Sequence, residues 1–200
     1  MKRNFLLALL ALTLPASAQF INIEKPTYRV SYDSTLHVPR SVEWFLTPND
    51  LGNIRREPSW RFAADVPEVL TKPNHNDYSH SGLDRGHMVP ALDRSASLSS
   101  MRSTFVLSNI APQTPYINRG VWKATEDSCR RLAALFDSIH VLACPVFLFG
   151  DTAFIGESRI AVPHAFFKAA WVAGSDSVIS CWFIFNHDKY GTYSPGHTQQ

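Results

Sequence analysis

Four consecutive residues with complementary chemistry lie near the middle of the sequence, Asp84-Arg85-Gly86-His87. They place an anion, a cation, a flexible joint and an imidazole side by side. The ordinary pKa of a histidine suits a general base near neutral pH. The stretch therefore predicts a site of acid–base chemistry centred on His87.

Two amides and a carboxylate follow within forty residues, at Asn109, Asn118 and Glu126. We expect two strands, a loop and a helix to gather these side chains beside His87. One imidazole, two amides and one carboxylate suit a hard cation that keeps most of its water, as Mg²⁺ does. Zn²⁺ would need more His or Cys ligands than are present here. The pattern predicts a hydrated Mg²⁺ site, in which Mn²⁺ could substitute.

Glu126 raises a question of its own, because it shares a predicted helix face with apolar residues. Residues 121–138 contain no Pro or Gly and predict a helix. The apolar stripe of this helix consists of Trp122, Cys129, Ala133 and Phe136. A carboxylate on that stripe needs a partner, because burying it unpaired is costly. Arg130, one turn later, is one candidate, and a hydrated metal or cationic group beneath the helix is the other. The sequence leaves both open.

The remaining patterns predict a mixed α+β chain with a sheet at its centre. Strand-like segments are predicted at residues 27–33, 42–47, 103–110, 139–149, 165–173 and 178–186. Residues 48–82 and 111–120 are rich in Pro, Asn, Asp, Ser or Gly and predict loops.

The spacing of the polar residues resembles that of a known family. The D-R-G-H stretch at 84–87 is followed by the pattern N-x-x-P-Q, a gap, N-x-x-x-W and then E. In this sequence the second pattern consists of Asn109, Pro112, Gln113, Asn118, Trp122 and Glu126. The two together resemble the DNA/RNA non-specific endonucleases of the ββα-metal superfamily, which includes secreted bacterial sugar-nonspecific nucleases and mitochondrial endonuclease G. The similarity covers roughly residues 40–185. It implies a mainly antiparallel central sheet with flanking helices and a ββα-metal active-site motif.

The resemblance also implies roles for individual residues. His87 would be the general base that activates water. Asn118 would be the one direct protein ligand of the metal, and Glu126 would hold waters of the metal shell. Asp84 would orient the site and bond to metal-bound water, while Asn109 would support these groups from behind.

Members of this family also have an upstream arginine that meets the phosphate charge. The candidates are Arg55, Arg56 and Arg61, and the spacing favours Arg56. Candidates for contacts to the nucleic-acid backbone are Arg85, Arg94, Arg102, Arg119 and Lys123. A structural salt bridge is an equal alternative for Arg85.

The first eighteen residues predict a secretory signal peptide rather than part of the fold. Lys2 and Arg3 precede an apolar stretch at 5–14 and the small residues Ala16-Ser17-Ala18. The apolar run is too short to span a bilayer, so we expect no membrane insertion. The expected organisation is a signal peptide at 1–18 and a single nuclease domain at 19–200, secreted or periplasmic.

Charge limits how such a protein would hold nucleic acid. Without Lys2 and Arg3, the 19 basic residues become 17 and equal the 17 acidic residues. Residues 55–131 nevertheless contain eleven Lys or Arg and eight Asp or Glu. A polyanion would therefore bind through a local patch. The three cysteines could provide one disulfide, but their apolar neighbours favour free thiols.

The sequence thus predicts a Mg²⁺-dependent endonuclease that hydrolyses DNA and RNA with little sequence preference and leaves 5′-phosphates. Two alternatives remain. One is a nucleic-acid-binding protein on the same fold that has lost catalysis. The other is an exported structural domain in which Glu126 pairs with Arg130 and no metal binds. A homodimer and a protein inhibitor are left open.

Overall fold

A six-stranded antiparallel sheet forms the centre of the protein. Its strands lie in the spatial order Phe20–Lys25, Tyr28–Asp33, Val38–Leu46, Ile139–Val146, Ala165–Val172 and Val178–Phe185. The computed structural model describes residues 20–66, 73–148 and 152–188, so the predicted signal peptide lies outside the described residues. The strands in this part of the chain are β1 (Phe20–Lys25), β2 (Tyr28–Asp33), β3 (Val38–Leu46), β4 (Asp84–His87), β5 (Ile110–Gln113), β6 (Ile139–Val146), β7 (Phe154–Ile155), β8 (Ile160–Ala161), β9 (Ala165–Val172) and β10 (Val178–Phe185). The predicted α+β fold with an antiparallel central sheet is confirmed.

The helices are short except for one. They are α1 (Leu98–Ser103), the single turn α2 (Pro115–Ile117) and α3 (Lys123–Phe136). The last of these confirms the helix predicted at 121–138. It packs against the sheet through Cys129 and Ala133, which are both buried. Among the described residues, no helix is long and apolar enough to cross a bilayer.

The sheet forms where apolar residues alternate with residues facing outward. Along β6, every second side chain is buried, including Ile139, Val141 and Ala143. Its neighbour β3 buries Trp44 and Leu46 in the same way. Burying a large aliphatic side chain stabilises the fold by about 1.5–3 kcal/mol. The five predicted strands that correspond to β2, β3, β6, β9 and β10 are confirmed.

The strand predicted at 103–110 is wrong. The chain leaves α1, is extended at Val106 (φ −126°, ψ 148°), and makes a 3₁₀ turn at Leu107–Asn109 before β5 begins. The strand-like pairing of this segment consists of two backbone hydrogen bonds with Ala63. The Ala63 N–H donates to the Phe105 carbonyl at 3.0 Å, and the Leu107 N–H donates to the Ala63 carbonyl at 2.9 Å. The apolar pattern reflects burial, but polar side chains such as Thr104 bond to local carbonyls and favour turns.

The D-R-G-H residues form strand β4, which pairs with β5 as a two-stranded hairpin. Asp84 lies opposite Gln113, and His87 lies opposite Ile110. The loop predicted at 111–120 therefore begins with strand residues. Gly86 is required here because a Cβ atom would overlap the buried Gln113 side chain. The hairpin places the carboxylate and the imidazole at its two ends.

Arg94 is buried inside the protein, whereas the prediction placed it at the nucleic-acid backbone. Its side chain is 1% exposed, and its guanidinium donates to the carbonyls of Asp93, Thr27 and Phe45 at 2.8–2.9 Å. It also lies 3.4 Å from the Asp50 carboxylate. Five N–H donors in a fixed fork suit several backbone carbonyls at once, so Arg94 joins β3 and the β1–β2 turn to the segment that follows β4.

We expect Arg94→Met to lower the free energy of unfolding by about 3–5 kcal/mol, because it leaves buried carbonyls without donors and Asp50 without its partner. The exposed Arg102, changed to Met, is the matched control and should alter stability by less than about 0.5 kcal/mol. Urea denaturation followed by circular dichroism measures both. Unchanged stability of Arg94→Met, with weakened binding to nucleic acid, would restore the original prediction.

Candidate active site

The hairpin and the long helix build one cleft. After β5, the chain passes through α2 and a wide helical turn at Asn118–Trp122 before α3 begins. Gly120 has non-helical dihedral angles (φ −107°, ψ −106°), so the chain bends there and Asn118 stands apart from the regular helix. This ββα order gathers His87, Asn118 and Glu126 around a cavity of about 340 Å³.

The largest cavity described lies elsewhere. It measures about 510 Å³ and is lined by residues of β1, β2 and β3 and by Arg94, His140 and Asp50. The predicted site residues other than Arg94 do not line it. The chemistry of the side chains, and not cavity size, therefore locates the candidate active site.

His87 is held between aromatic rings at the edge of the cleft. The centroids of Phe62 and Phe105 lie 5.2 Å and 5.1 Å from that of the imidazole. Its Nε2 atom is buried and has no hydrogen-bond partner among the described residues. Burial lowers the pKa of His87 to about 3, and the positive charge of Arg56 acts in the same direction. The ring is therefore neutral at neutral pH.

Asp84 fixes the orientation of Asn118. The Asn118 amide nitrogen donates to Asp84 Oδ2 at 2.9 Å, and Arg119 donates to both oxygens of the same carboxylate at 2.7–2.8 Å. Burial tends to raise the pKa of Asp84, but the hydrogen bonds from Arg119 and Asn118 outweigh it, and the pKa lies below its ordinary value. Because its nitrogen is engaged, Asn118 is left with its carbonyl oxygen as a ligand atom.

Glu126 lines the same cleft but does not form the ion pair with Arg130 that the sequence allowed. Arg130 instead donates to Asp93 at 2.7 Å and to Asp127 at 2.6 Å. Burial raises the pKa of Glu126 to about 7, and the positive charge of Lys168 opposes this rise. The carboxylate thus lies beside the cleft, and no cation in the part of the chain that the structure describes donates a hydrogen bond to it.

These donors fit a hydrated hard cation. The cleft offers an amide oxygen from Asn118 and a carboxylate from Glu126, with Asp84 directly behind Asn118. In residues 20–66, 73–148 and 152–188, no three His, Cys, Asp or Glu side chains converge as a closed metal cage. Mg²⁺ is bound by one or two oxygen ligands and several waters, whereas structural Zn²⁺ needs four N or S ligands.

Asn109 acts behind the cleft and not in it. Its side chain is fully buried and bonds to both the N–H and the carbonyl of Val89 at 2.9 Å and 3.1 Å. The side-chain nitrogen also donates to the carbonyl of Thr104 at 3.0 Å. The backbone carbonyl of Asn109 accepts from the N–H of Met88 at 2.9 Å. Asn109 therefore fixes the segment that follows His87.

The predicted cationic residues fall into two groups. Arg56 lines the cleft, with its guanidinium 5.1 Å from the Phe105 ring centroid, whereas Arg55 and Arg61 do not line it. Arg119 and Lys123 line it too, although Lys123 also pairs with Asp127 at 3.0 Å. The remaining two do not line this cleft. Arg85 lies beside Tyr78 and His75, and Arg102 lies beside Trp60.

The cleft continues into a second cavity of about 380 Å³, which shares Arg56, Asn118 and Arg119 with the first. Trp60 lines this second cavity together with Phe62. The candidate cleft is therefore longer than His87, Asn118 and Glu126 alone indicate.

Two residues of the site received no individual role from the sequence. Trp122 donates its indole N–H to the carbonyl of His87 at 3.0 Å, and so joins the helix to the hairpin. Beneath its ring lies Lys168, a fully buried lysine of β9. The available signal was a lysine in an otherwise apolar strand, at a position whose strand neighbours Phe166 and Ala170 on the same face are buried.

A family model described as DNA/RNA non-specific endonuclease matches residues 8–198. The chain belongs to this family. The predicted resemblance is confirmed.

Named relatives of this endonuclease-family chain agree with the assignment. It is 31% identical over 151 residues to "Nuclease" of Nostoc sp., covering 76% of the chain and 54% of the relative. It is 33% identical over 166 residues to human mitochondrial endonuclease G, covering 78% and 55%. It is 33% identical over 187 residues to nuclease C1 of Cunninghamella echinulata, covering 86% and 74%. The chain thus spans about half the length of several curated relatives.

A solved structure supports the fold. The chain superposes with a TM-score of 0.76 and 27% sequence identity on the structure described as "Crystal structure of the EndoG/EndoGI complex: Mechanism of EndoG inhibition". The superposition covers 83% of this chain and 74% of the other. The ββα-metal fold of this endonuclease-family chain is therefore shared with endonuclease G.

We expect the His87 ring of the metal-free protein to remain neutral down to about pH 4, because its pKa is lowered to about 3. The folded pKa lies below the unfolded value near 6.5, so His87 contributes stability that is present above pH 6.5 and is lost as pH falls toward 3. NMR titration of the ring carbons measures the midpoint. A His87 midpoint near pH 6.5 would contradict the buried environment.

Proposed function

We propose that this protein is a divalent-metal-dependent endonuclease that hydrolyses phosphodiester bonds of DNA and RNA. One observation carries the proposal: a neutral imidazole, a free amide oxygen and a carboxylate share a cleft with an arginine in a member of the non-specific endonuclease family. These are His87, Asn118, Glu126 and Arg56. The family is one of nucleases, and its relatives carry nuclease names.

In the proposed reaction, His87 takes a proton from the attacking water as the water oxygen bonds to phosphorus. The bond between phosphorus and the 3′-oxygen breaks, and the departing oxygen takes a proton from solvent. The products are a 5′-phosphate and a 3′-hydroxyl. Arg56 supplies a fixed positive charge to a non-bridging oxygen of the phosphate. No side chain becomes covalently attached.

Asn118 would bind the metal directly, and Glu126 would hold it through water. A bound Mg²⁺, or Mn²⁺ in its place, stabilises the negative charge that builds up on the phosphoryl and leaving oxygens. Asp84 turns the Asn118 carbonyl oxygen toward the cleft by occupying its amide nitrogen. Arg119 in turn holds Asp84, so the ligand is supported by two further layers.

The proposed specificity follows from the charges along the cleft. Arg119, Lys123 and Arg56 can contact phosphates, which carry no sequence information. Arg85 and Arg102 lie further along the same region. We therefore infer that DNA and RNA of many sequences are cut. Export is part of the proposal and rests on the N-terminal sequence pattern. Some relatives are named mitochondrial, so the relatives do not decide the compartment.

We expect the purified protein to convert a plasmid and a long RNA into smears in Mg²⁺, and to leave both intact in EDTA. His87→Ala should lower the cleavage rate about 10²–10⁴-fold, because the general base is lost, while its circular dichroism spectrum stays unchanged. His80→Asn is the matched control, since His80 is exposed and Asn tolerates its left-handed backbone (φ 61°).

Three outcomes would contradict the proposal in different ways. Full activity of His87→Ala would show that His87 is not the general base. Binding without cleavage by the wild type would identify a nucleic-acid-binding protein that has lost catalysis. A few sharp fragments from DNA and none from RNA would identify a site-specific enzyme.

We expect Asn118→Ala to raise the Mg²⁺ concentration needed for half-maximal activity by about 10-fold or more, because the proposed direct ligand is lost. The Michaelis constant for nucleic acid, measured at saturating metal, should change much less. Asn53→Ala, an exposed asparagine outside the cleft, is the control. An unchanged metal titration for Asn118→Ala would place the metal elsewhere.

A further inference from the structure

A lysine is buried beneath the active site without a hydrogen-bond partner. Lys168 on β9 is 0% exposed, and its Nζ atom has no hydrogen-bond partner among the described residues. Nζ lies 3.8 Å from the centroid of the Trp122 ring. Burying an ammonium group is costly, and a cation–π contact recovers only part of that cost. Burial lowers the pKa of Lys168, so a negative charge nearby is needed to keep its side chain protonated.

Of the acidic residues around Lys168, Glu126 is the one available to supply that negative charge. The carboxylate of Asp93 already accepts from Trp44 Nε1 at 3.2 Å and from Arg130 at 2.7 Å. Arg130 also neutralises Asp127, at 2.6 Å. Within residues 20–66, 73–148 and 152–188, no cation donates a hydrogen bond to Glu126. Burial raises the pKa of Glu126, and among the nearby charges that of Lys168 opposes this rise most strongly. Burial lowers the pKa of Lys168, and among the nearby charges that of Glu126 opposes this fall most strongly.

The same lysine supports the base through Trp122. The indole face covers the ammonium, and the indole N–H donates to the carbonyl of His87 at 3.0 Å. Phe166, two residues before Lys168 on β9, packs against the same indole with centroids 5.4 Å apart. Strand β9 therefore holds Trp122 from below by one apolar and one cationic contact.

We propose that Lys168 is a positioning residue for metal binding, which holds Glu126 by charge and Trp122 by its ring without touching nucleic acid. This inference rests on the metal site of the proposed function. Its physical basis is that Glu126, once it lines the cleft, needs a fixed positive charge on its buried side to stay directed at a cation on its open side. Lys168 supplies that charge from a strand that cannot move independently of the sheet.

The test measures metal affinity and not cleavage. Binding of Mn²⁺ alone is followed by electron paramagnetic resonance in a His87→Ala background, with no nucleic acid present. We expect Lys168→Met to weaken Mn²⁺ binding about 10-fold or more. The control is Arg40→Met, which removes an exposed cation over the Phe20 ring at 4.2 Å, and it should leave the affinity unchanged.

A double-mutant cycle separates positioning from packing. If Lys168 acts through Glu126, then Lys168→Met should weaken Mn²⁺ binding in the protein with Glu126 and have little further effect in Glu126→Gln. Equal losses in both backgrounds, or unchanged affinity of folded Lys168→Met, would overturn the inference. Lys168→Gln, with the same readouts, replaces Lys168→Met if the latter does not fold.

The proposed function can fail separately. A wild-type protein that binds Mn²⁺ but cleaves neither DNA nor RNA would refute the endonuclease proposal and leave the Lys168 cycle interpretable. If the wild-type protein cleaves in Mg²⁺ but Lys168→Met leaves the Mn²⁺ affinity unchanged, the inference alone would be refuted.

Discussion

The indole N–H of Trp122 joins the two halves of the candidate active site. It donates to the carbonyl of His87 across 35 positions in the chain. Together with the bonds from Asn118 and Arg119 to Asp84, it ties the hairpin that carries the imidazole to the helical segment that leads to Glu126, whereas apolar contacts are non-directional. A directional bond between them fixes the distance from the proposed base to the proposed metal. The rest of the structure keeps this indole in place.

Buried charge dictates how that is achieved. Asp93, Arg130, Lys168 and the half-buried Glu126 lie beneath or beside the helix. Each buried ion is tolerated only where a partner offsets its desolvation. Asp93 and Arg130 pair with each other at 2.7 Å, which leaves Lys168 to act on Glu126. The charge layer therefore restricts the positions that the helix can take over the sheet, and the position it has directs Glu126 at the cleft.

On the other side of the cleft, hydrogen bonds perform the same task. Asp84 accepts from Asn118 and Arg119, and Asn109 accepts from and donates to Val89. The side chains that would contact the reacting groups are thus held by protein partners, and such fixed groups reduce the reorganisation that the reaction requires.

The sequence alone determined the family, the antiparallel sheet, helix α3 and most residues of the cleft, because these depend on local spacing and on period-two or period-3.6 patterns. It did not determine which charges pair. Arg94 and Arg102 look alike in sequence, yet one donates to three carbonyls in the interior and the other is exposed. Likewise, Arg130 is one turn from Glu126 but bonds to Asp93, which lies 37 residues away. Such partners are chosen by distances that exist only after strands far apart in the chain have packed together. Tertiary structure therefore decided the roles of Arg94, Arg130 and Lys168, since desolvation and ion pairing depend on burial in three dimensions.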